Sequence, residues 1–213
     1  SVRGVKETAN LGQRLKDAEL LGGRTLRAGE LADGENGAYE VKKPARGAVI
    51  ARDADCARAQ VAGAIDAAAA AERDWAARTG KERAAVLRRW FELMMAHQED
   101  LAVIMTAEQG KPLAESRGEI AYAAGFIEFS GEEAKRIYGE TIPGHQRDKR
   151  ITVIRQPVGV AASITPWNFP AAMITRKAGP ALAAGCAFVA RPASETPLSA
   201  IALAVLAERA GVP

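Results

Sequence analysis

The sequence predicts an α/β fold in which a parallel sheet begins only at residue 158 of 213. Two observations carry this. From residue 158 onward, continuous apolar runs alternate with helical stretches in the order β-α-β-α, the pattern of a doubly wound parallel sheet. Before that, residues 53–136 keep helical spacing and draw on a chain with 46 alanines, the residue of highest helix propensity.

The elements follow in order. Residues 1–37 are polar and glycine-dotted, with Leu11, Leu15, Leu20 and Leu21 as apolar anchors. They read as an arm with one short helix capped near Asn10. Residues 38–52 read as two short strands around a Pro44–Gly47 turn. A helix capped by Asp53 or Asp55 then runs to about Arg78. Thr79 and Glu82 form a T-x-x-E capping box for the next helix, which carries Val86, Leu87, Trp90, Phe91 and Met94 at helical spacing. A helical piece from about Glu99 to Glu108 stops at Gly110-Lys-Pro. Another, from about Leu113 to Arg136, turns Ile120, Ala123, Ala124, Ile127 and Phe129 toward a core. The period then changes. Ile151 to Arg155 alternates, as a half-exposed strand does, and with the charged stretch Gln146 to Arg150 it forms an exposed hairpin. Val158 to Ile164 reads as a buried parallel strand, Ala171 to Ala184 as a helix, and Cys186 to Ala190 as a second buried strand. Thr196 and Pro197 read as an N-cap and a proline at the first helical position, with Gly211 ending the helix after Arg209.

Two parallel strands do not make a stable buried sheet. The expectation is that these residues are the first part of a larger protein; the alternative is a partner chain that completes the sheet.

Composition excludes several classes. Hydrophobic residues make up 48% and charged residues 26%, a globular balance. The net charge is +3, without a long Lys/Arg run, so nucleic-acid binding is not expected. The two cysteines, Cys56 and Cys186, form no spaced framework, and the two histidines, His97 and His145, have no metal-ligand spacing with them, so no metal site is expected. The longest apolar run, Ala178 to Ala190, contains Gly and Pro and is too short for a membrane span. A soluble, cytoplasmic protein is the expectation.

The segment with chemical potential is Thr165-Pro-Trp-Asn-Phe-Pro170, between a buried strand and a helix. Ligands of parallel α/β sheets sit beyond the carboxyl ends of the strands. Two prolines stiffen the loop. Asn168 either presents its amide to developing negative charge or caps the following helix.

This segment resembles the signature of the aldehyde dehydrogenase superfamily. So do Lys177-Ala-Gly-Pro-Ala-Leu-Ala-Ala-Gly-Cys186 and Arg191-Pro-Ala-Ser-Glu-Thr-Pro197. Ala-Met-Ile-Thr-Arg-Lys-Ala-Gly-Pro after the loop looks closer still to succinate-semialdehyde dehydrogenases. The resemblance implies the following organisation. Residues 1–137 are the arm and helical part of the cofactor-binding domain. Residues 138–157 are an oligomerisation hairpin. Residues 158–213 are the first β-α-β-α of a Rossmann-type, aldehyde-dehydrogenase-like nucleotide-binding sheet, without the catalytic domain. It also implies residue roles. Asn168 is similar to the oxyanion amide, and Lys177 to a lysine that supports it electrostatically. Ile164, Thr165, Pro166 and Trp167 look like contacts of a nicotinamide cofactor. Arg191, with Pro192 and Ala193, stands where the family usually has a lysine reaching the adenosine ribose. Ser194 replaces the Glu typical of members restricted to NAD; a serine does not repel a 2′-phosphate, so the cofactor is NADP or NAD, leaning to NADP. Arg176, with Phe169 nearby, is implied to hold the distal carboxylate of a semialdehyde, succinate semialdehyde first and glutarate semialdehyde second.

The family's nucleophilic cysteine and general-base glutamate lie downstream of this segment, and Cys56 and Cys186 read as structural. Residues 1–213 alone are therefore expected to be inactive. The family also implies a homodimer or homotetramer. The competing readings are a broad-range or CoA-acylating aldehyde dehydrogenase and a non-catalytic α/β assembly module.

Overall fold

The computed structural model describes residues 11–21, 25–27 and 30–213. The proposed cap Asn10 lies outside them. Two antiparallel hairpins come first: β1 (Thr25–Arg27) with β2 (Glu30–Ala32), and β3 (Ala38–Lys42) with β4 (Val49–Ala54). The second turns at Gly47, whose φ of 64° suits glycine, as the Pro44–Gly47 turn predicted. The first is too short and too polar to have given a periodic signal.

Four helices follow: α1 (Arg58–Ala77), α2 (Gly80–Ala96), α3 (Gln98–Gln109) and α4 (Leu113–Glu133). The Asp cap expected for α1 is not formed. Asp53 lies in β4, where its carboxylate accepts from the Tyr39 hydroxyl at 2.8 Å. The start of α1 is organised instead by Gln60, whose Oε1 accepts from the Ala57 and Glu35 amides. The Thr79–Glu82 capping box of α2 is present in both directions. Along α4, Ile120, Ala123, Ala124 and Ile127 are fully buried. Phe129 is not: it is 66% exposed, because it falls off that stripe to the opposite side.

A separate hairpin, β5 (Glu140–Pro143) with β6 (Arg150–Val153), is exposed along its whole length. Then β7 (Val160–Ile164), α5 (Ala172–Ala183), β8 (Ala187–Arg191) and α6 (Pro197–Ala210) complete the chain, with β7 and β8 parallel and in register Ile164 to Arg191. The expected burial of β7 is only partial: Ser163 is buried, but Ile164 is 76% exposed. Gly211, with φ 100°, ends α6 as predicted.

The helices form the core that carries this parallel pair. α4 packs between α2 and α5, α6 lies on α2 and α3, and α1 lies along β8. Two buried indoles tie the earlier helices to α5 and α6: Trp75 Nε1 donates to the Leu182 carbonyl at 3.0 Å and Trp90 Nε1 to the Leu203 carbonyl at 3.2 Å. Small residues let α4 and α5 approach closely. A Cβ on Gly179 would stand 2.7 Å from Ser130 Oγ and 3.1 Å from the Phe126 carbonyl.

This sets opposite expectations for two helical glycines. Gly125, in α4, has open space for a Cβ, so Gly125→Ala should gain about 0.5–1 kcal/mol from helix propensity. Gly179→Ala has the same gain but meets overpacking that costs about 1–3 kcal/mol. Thermal melting should therefore rise for Gly125→Ala and fall for Gly179→Ala; a rise in both would contradict the close approach of α4 and α5.

Candidate functional site

Ile164 to Phe169 and Arg191 to Ser194 lie at and just beyond the carboxyl ends of β7 and β8. The Thr165 amide donates to the Arg191 carbonyl at 3.1 Å, which ties the loop after β7 to the loop after β8. Ile164, Pro166, Trp167, Asn168 and Phe169 are exposed, whereas Thr165 is buried. Arg191 and Ser194 are exposed, Pro192 is half-buried and Ala193 is buried.

The first turn of α5 removes the capping reading of Asn168. The helix has no local side-chain cap. Its Ala171 and Ala172 amides donate to Oε1 of Glu119, at 3.0 and 3.3 Å, from 52 and 53 residues earlier in the chain. The other oxygen of Glu119 forms a buried ion pair with Lys111. Lys111 Nζ also donates to the backbone carbonyl of Asn168 at 3.1 Å and lies 4.5 Å from the centre of the Phe169 ring. Asn168 therefore does not cap α5. Among the described residues its side-chain amide makes no hydrogen bond and is open to a ligand.

The first turn of α6 repeats the arrangement. Thr196 occupies the cap position but gives no side-chain hydrogen bond, and its hydroxyl is buried without a partner. The Leu198 and Ser199 amides donate instead to the two carboxylate oxygens of Glu108, at 2.7 and 2.8 Å. Burial pushes the Glu108 carboxyl up to about 8, against hydrogen bonds from Ser199 and Leu198 that pull it down; the Asp53 carboxylate adds to the rise. Burial also raises Asp53 itself. The Tyr39 hydroxyl is raised, chiefly by burial and then by its hydrogen bond to Asp53.

α5 presents the two remaining candidates. Lys177 is half-buried and donates to the Met173 carbonyl one turn back, at 2.9 Å. Arg176 is exposed, with its guanidinium 5.0 Å from the centre of the Phe126 ring. Among the described residues no hydrogen bond joins Asn168 to Arg176 or Lys177. Cys186 is buried and Cys56 half-buried, and neither is in a disulfide.

Lys111, Glu119 and Glu108 were not among the residues singled out from sequence. The signal was present. Glu119 shares the buried face of α4 with Ile120, Ala123 and Ile127, and Glu108 continues the buried series Leu101, Ile104 and Met105 of α3. A carboxylate on an apolar helical stripe needs a buried partner.

At the rim of the parallel pair an apolar and a cationic side chain stand on paired residues. Ile164 offers an open apolar seat, and Arg191, its register partner, offers an exposed guanidinium suited to phosphate. Ser194, also exposed, follows three residues later.

Comparison with known proteins gives a consistent picture. Residues 31–213 match the aldehyde dehydrogenase family. The chain is 62% identical over 201 residues to a glutarate-semialdehyde dehydrogenase of Pseudomonas putida, covering 94% of this chain and 42% of that protein. It is 61% identical over 201 residues to the succinate-semialdehyde dehydrogenase [NADP(+)] of Escherichia coli, again 94% of this chain and 42% of that protein. A crystal structure of an aldehyde dehydrogenase from Brucella melitensis superposes with a TM-score of 0.92 at 59% identity, covering 93% of this chain and 41% of that one. The chain thus spans less than half the length of these relatives.

The raised Glu108 carboxyl has a pH signature. Its folded-state value of about 8 exceeds the ordinary 4.5, so its stabilising contribution is complete below about 4.5 and is lost as pH rises through about 8. Between pH 6 and 9 the protein should lose about 3 kcal/mol relative to the Glu108→Gln variant, which cannot titrate there. Melting curves of both across that range test this; a constant gap would contradict a carboxyl held protonated.

Proposed function

The chain belongs to the aldehyde dehydrogenase family, and from that premise we propose that it is the cofactor-side portion of an NAD(P)-dependent semialdehyde dehydrogenase. Its substrates would be succinate semialdehyde first and glutarate semialdehyde second, each oxidised to the acid. The observation that carries this reading is the likeness, over nearly the whole chain, to relatives named for those two semialdehydes.

Each residue then has a defined task. Asn168, whose amide has no protein partner among the described residues, donates to the oxygen that gains charge when a thiolate adds to the aldehyde. Arg176, exposed on α5, forks onto the distal carboxylate, and Phe169 lines its approach. Lys177 keeps a positive charge near the loop. Ile164, Thr165, Pro166 and Trp167 form the wall for the nicotinamide half of the cofactor. Arg191, Pro192, Ala193 and Ser194 receive the adenosine half, and Arg191 with Ser194 favours a 2′-phosphate. When bound, the dinucleotide would supply the acceptor for the hydride that leaves the substrate carbon.

The thiolate and general base belong outside residues 1–213. Cys186 is closed off in the fold, and in this reading neither cysteine of residues 1–213 is the family's nucleophile, so these residues alone do not turn over substrate. In this reading residues 158–213 open the nucleotide-binding sheet, residues 1–137 supply its arm and helical support, and residues 138–157 join subunits of a homodimer or homotetramer. The exposed Ile142, Ile151 and Val153 on that hairpin support this last assignment.

Two substitutions in the intact enzyme test the reading through the reduced cofactor's absorbance. Arg176→Ala should raise KM for succinate semialdehyde about tenfold or more, the worth of a charged hydrogen bond, and leave KM for an uncharged short aldehyde nearly unchanged; equal effects would contradict carboxylate recognition. Ser194→Glu should weaken NADP about tenfold or more by charge repulsion and spare NAD; unchanged NADP affinity would remove Ser194 from the cofactor site.

A further inference from the structure

We propose that Lys111 and Glu119 are positioning residues of the oxidation reaction: a buried ion pair that fixes residues 168–172, and with them the Asn168 amide. This rests on the reading of Asn168 as oxyanion donor.

Two prolines stiffen the loop, but among the described residues no side chain of residues 167–169 makes a hydrogen bond that fixes it. Trp167, Asn168 and Phe169 are exposed, Pro170 has no amide hydrogen to donate, and α5 lacks a local cap. The pair takes hold of the segment from both ends. At one end Lys111 binds the Asn168 carbonyl and lies on the Phe169 ring. At the other, Glu119 binds the Ala171 and Ala172 amides. The ion pair joins the two halves. The side chains are 10% and 2% exposed. Neither hydrogen-bonds the Asn168 side chain, so that amide stays free while its backbone is held.

Charge is needed for this geometry. A carboxylate can present one oxygen to the ammonium and the other to two amides, whereas a glutamine would turn a donor toward the ammonium. Stability alone does not call for such a pair, since apolar replacements of buried ion pairs are often as stable. Position does: a displacement of about 1 Å at a reacting group can cost about 100-fold in rate.

The test uses the intact enzyme with Lys111→Met, and with Lys111→Met combined with Glu119→Gln, which removes both charges but keeps an acceptor for the α5 amides. The readouts are kcat and KM for succinate semialdehyde, dinucleotide affinity, melting temperature, and the 19F resonance of fluorinated Trp167, assigned by Trp167→Phe. Both variants should lose about 10- to 100-fold in kcat. KM and dinucleotide affinity should stay within about threefold, since the pair touches neither ligand. The Trp167 resonance should shift or broaden while those of Trp75 and Trp90 hold. The double variant should recover melting temperature but not kcat. If it recovers both together, or if kcat stays within about twofold of wild type in both variants, the positioning role is overturned. If Lys111→Met does not fold, the double variant decides. If the unaltered enzyme oxidises no semialdehyde, the proposed function fails, and the Trp167 resonance alone decides the clamp: unmoved, it overturns it.

Discussion

Two buried glutamate side chains, Glu108 at the end of α3 and Glu119 on α4, hold the first turns of the helices that leave the parallel strands. A helix N-terminus leaves several amides without partners, and an unpaired buried amide costs about 1–3 kcal/mol. Most proteins meet that demand with a neighbouring Ser, Thr, Asp or Asn. Here the caps come from 52 and 90 residues away. The strand-to-helix turns that carry the proposed cofactor and aldehyde residues are therefore anchored by the helical layer. The small-residue contact between α4 and α5 and the indole bonds of Trp75 and Trp90 keep that layer at the right distance.

The same constraint explains what was legible in the sequence. The strands, helices and turns whose signals are local were found close to their observed places: the Gly47 turn, the Thr79–Glu82 box, the α5 and α6 helices and the Gly211 stop. What failed was long-range. Asp53 looks like a cap for α1 but pairs with Tyr39 across a hairpin. Thr196 looks like a cap for α6 but gives way to Glu108. Phe129 joins the core stripe by hydrophobicity and leaves it by angle. The full burial expected for β7 assumed cover that the described residues do not provide over Ile164.

The candidate site shows the same division. The candidates from Ile164 to Ser194 were legible because they sit in three short, distinctive motifs. The supporting pair Lys111–Glu119 was missed because its partners are scattered, although a glutamate on an apolar stripe marks itself as needing one. The Asn168 alternatives could be separated only by locating the cap of α5. Once Glu119 fills that role, the asparagine side chain is left available for chemistry, and membership in the aldehyde dehydrogenase family gives that chemistry its class.

The most direct measurement is amide hydrogen exchange at the first turn of α5, with and without Glu119. Ala171 and Ala172 should be protected in the native protein. In Glu119→Ala their exchange should quicken about tenfold or more, the worth of the lost hydrogen bonds, while Leu198 and Ser199, held by Glu108, keep their protection. Unchanged exchange at Ala171 and Ala172 would contradict the claim that a distant carboxylate sets this turn.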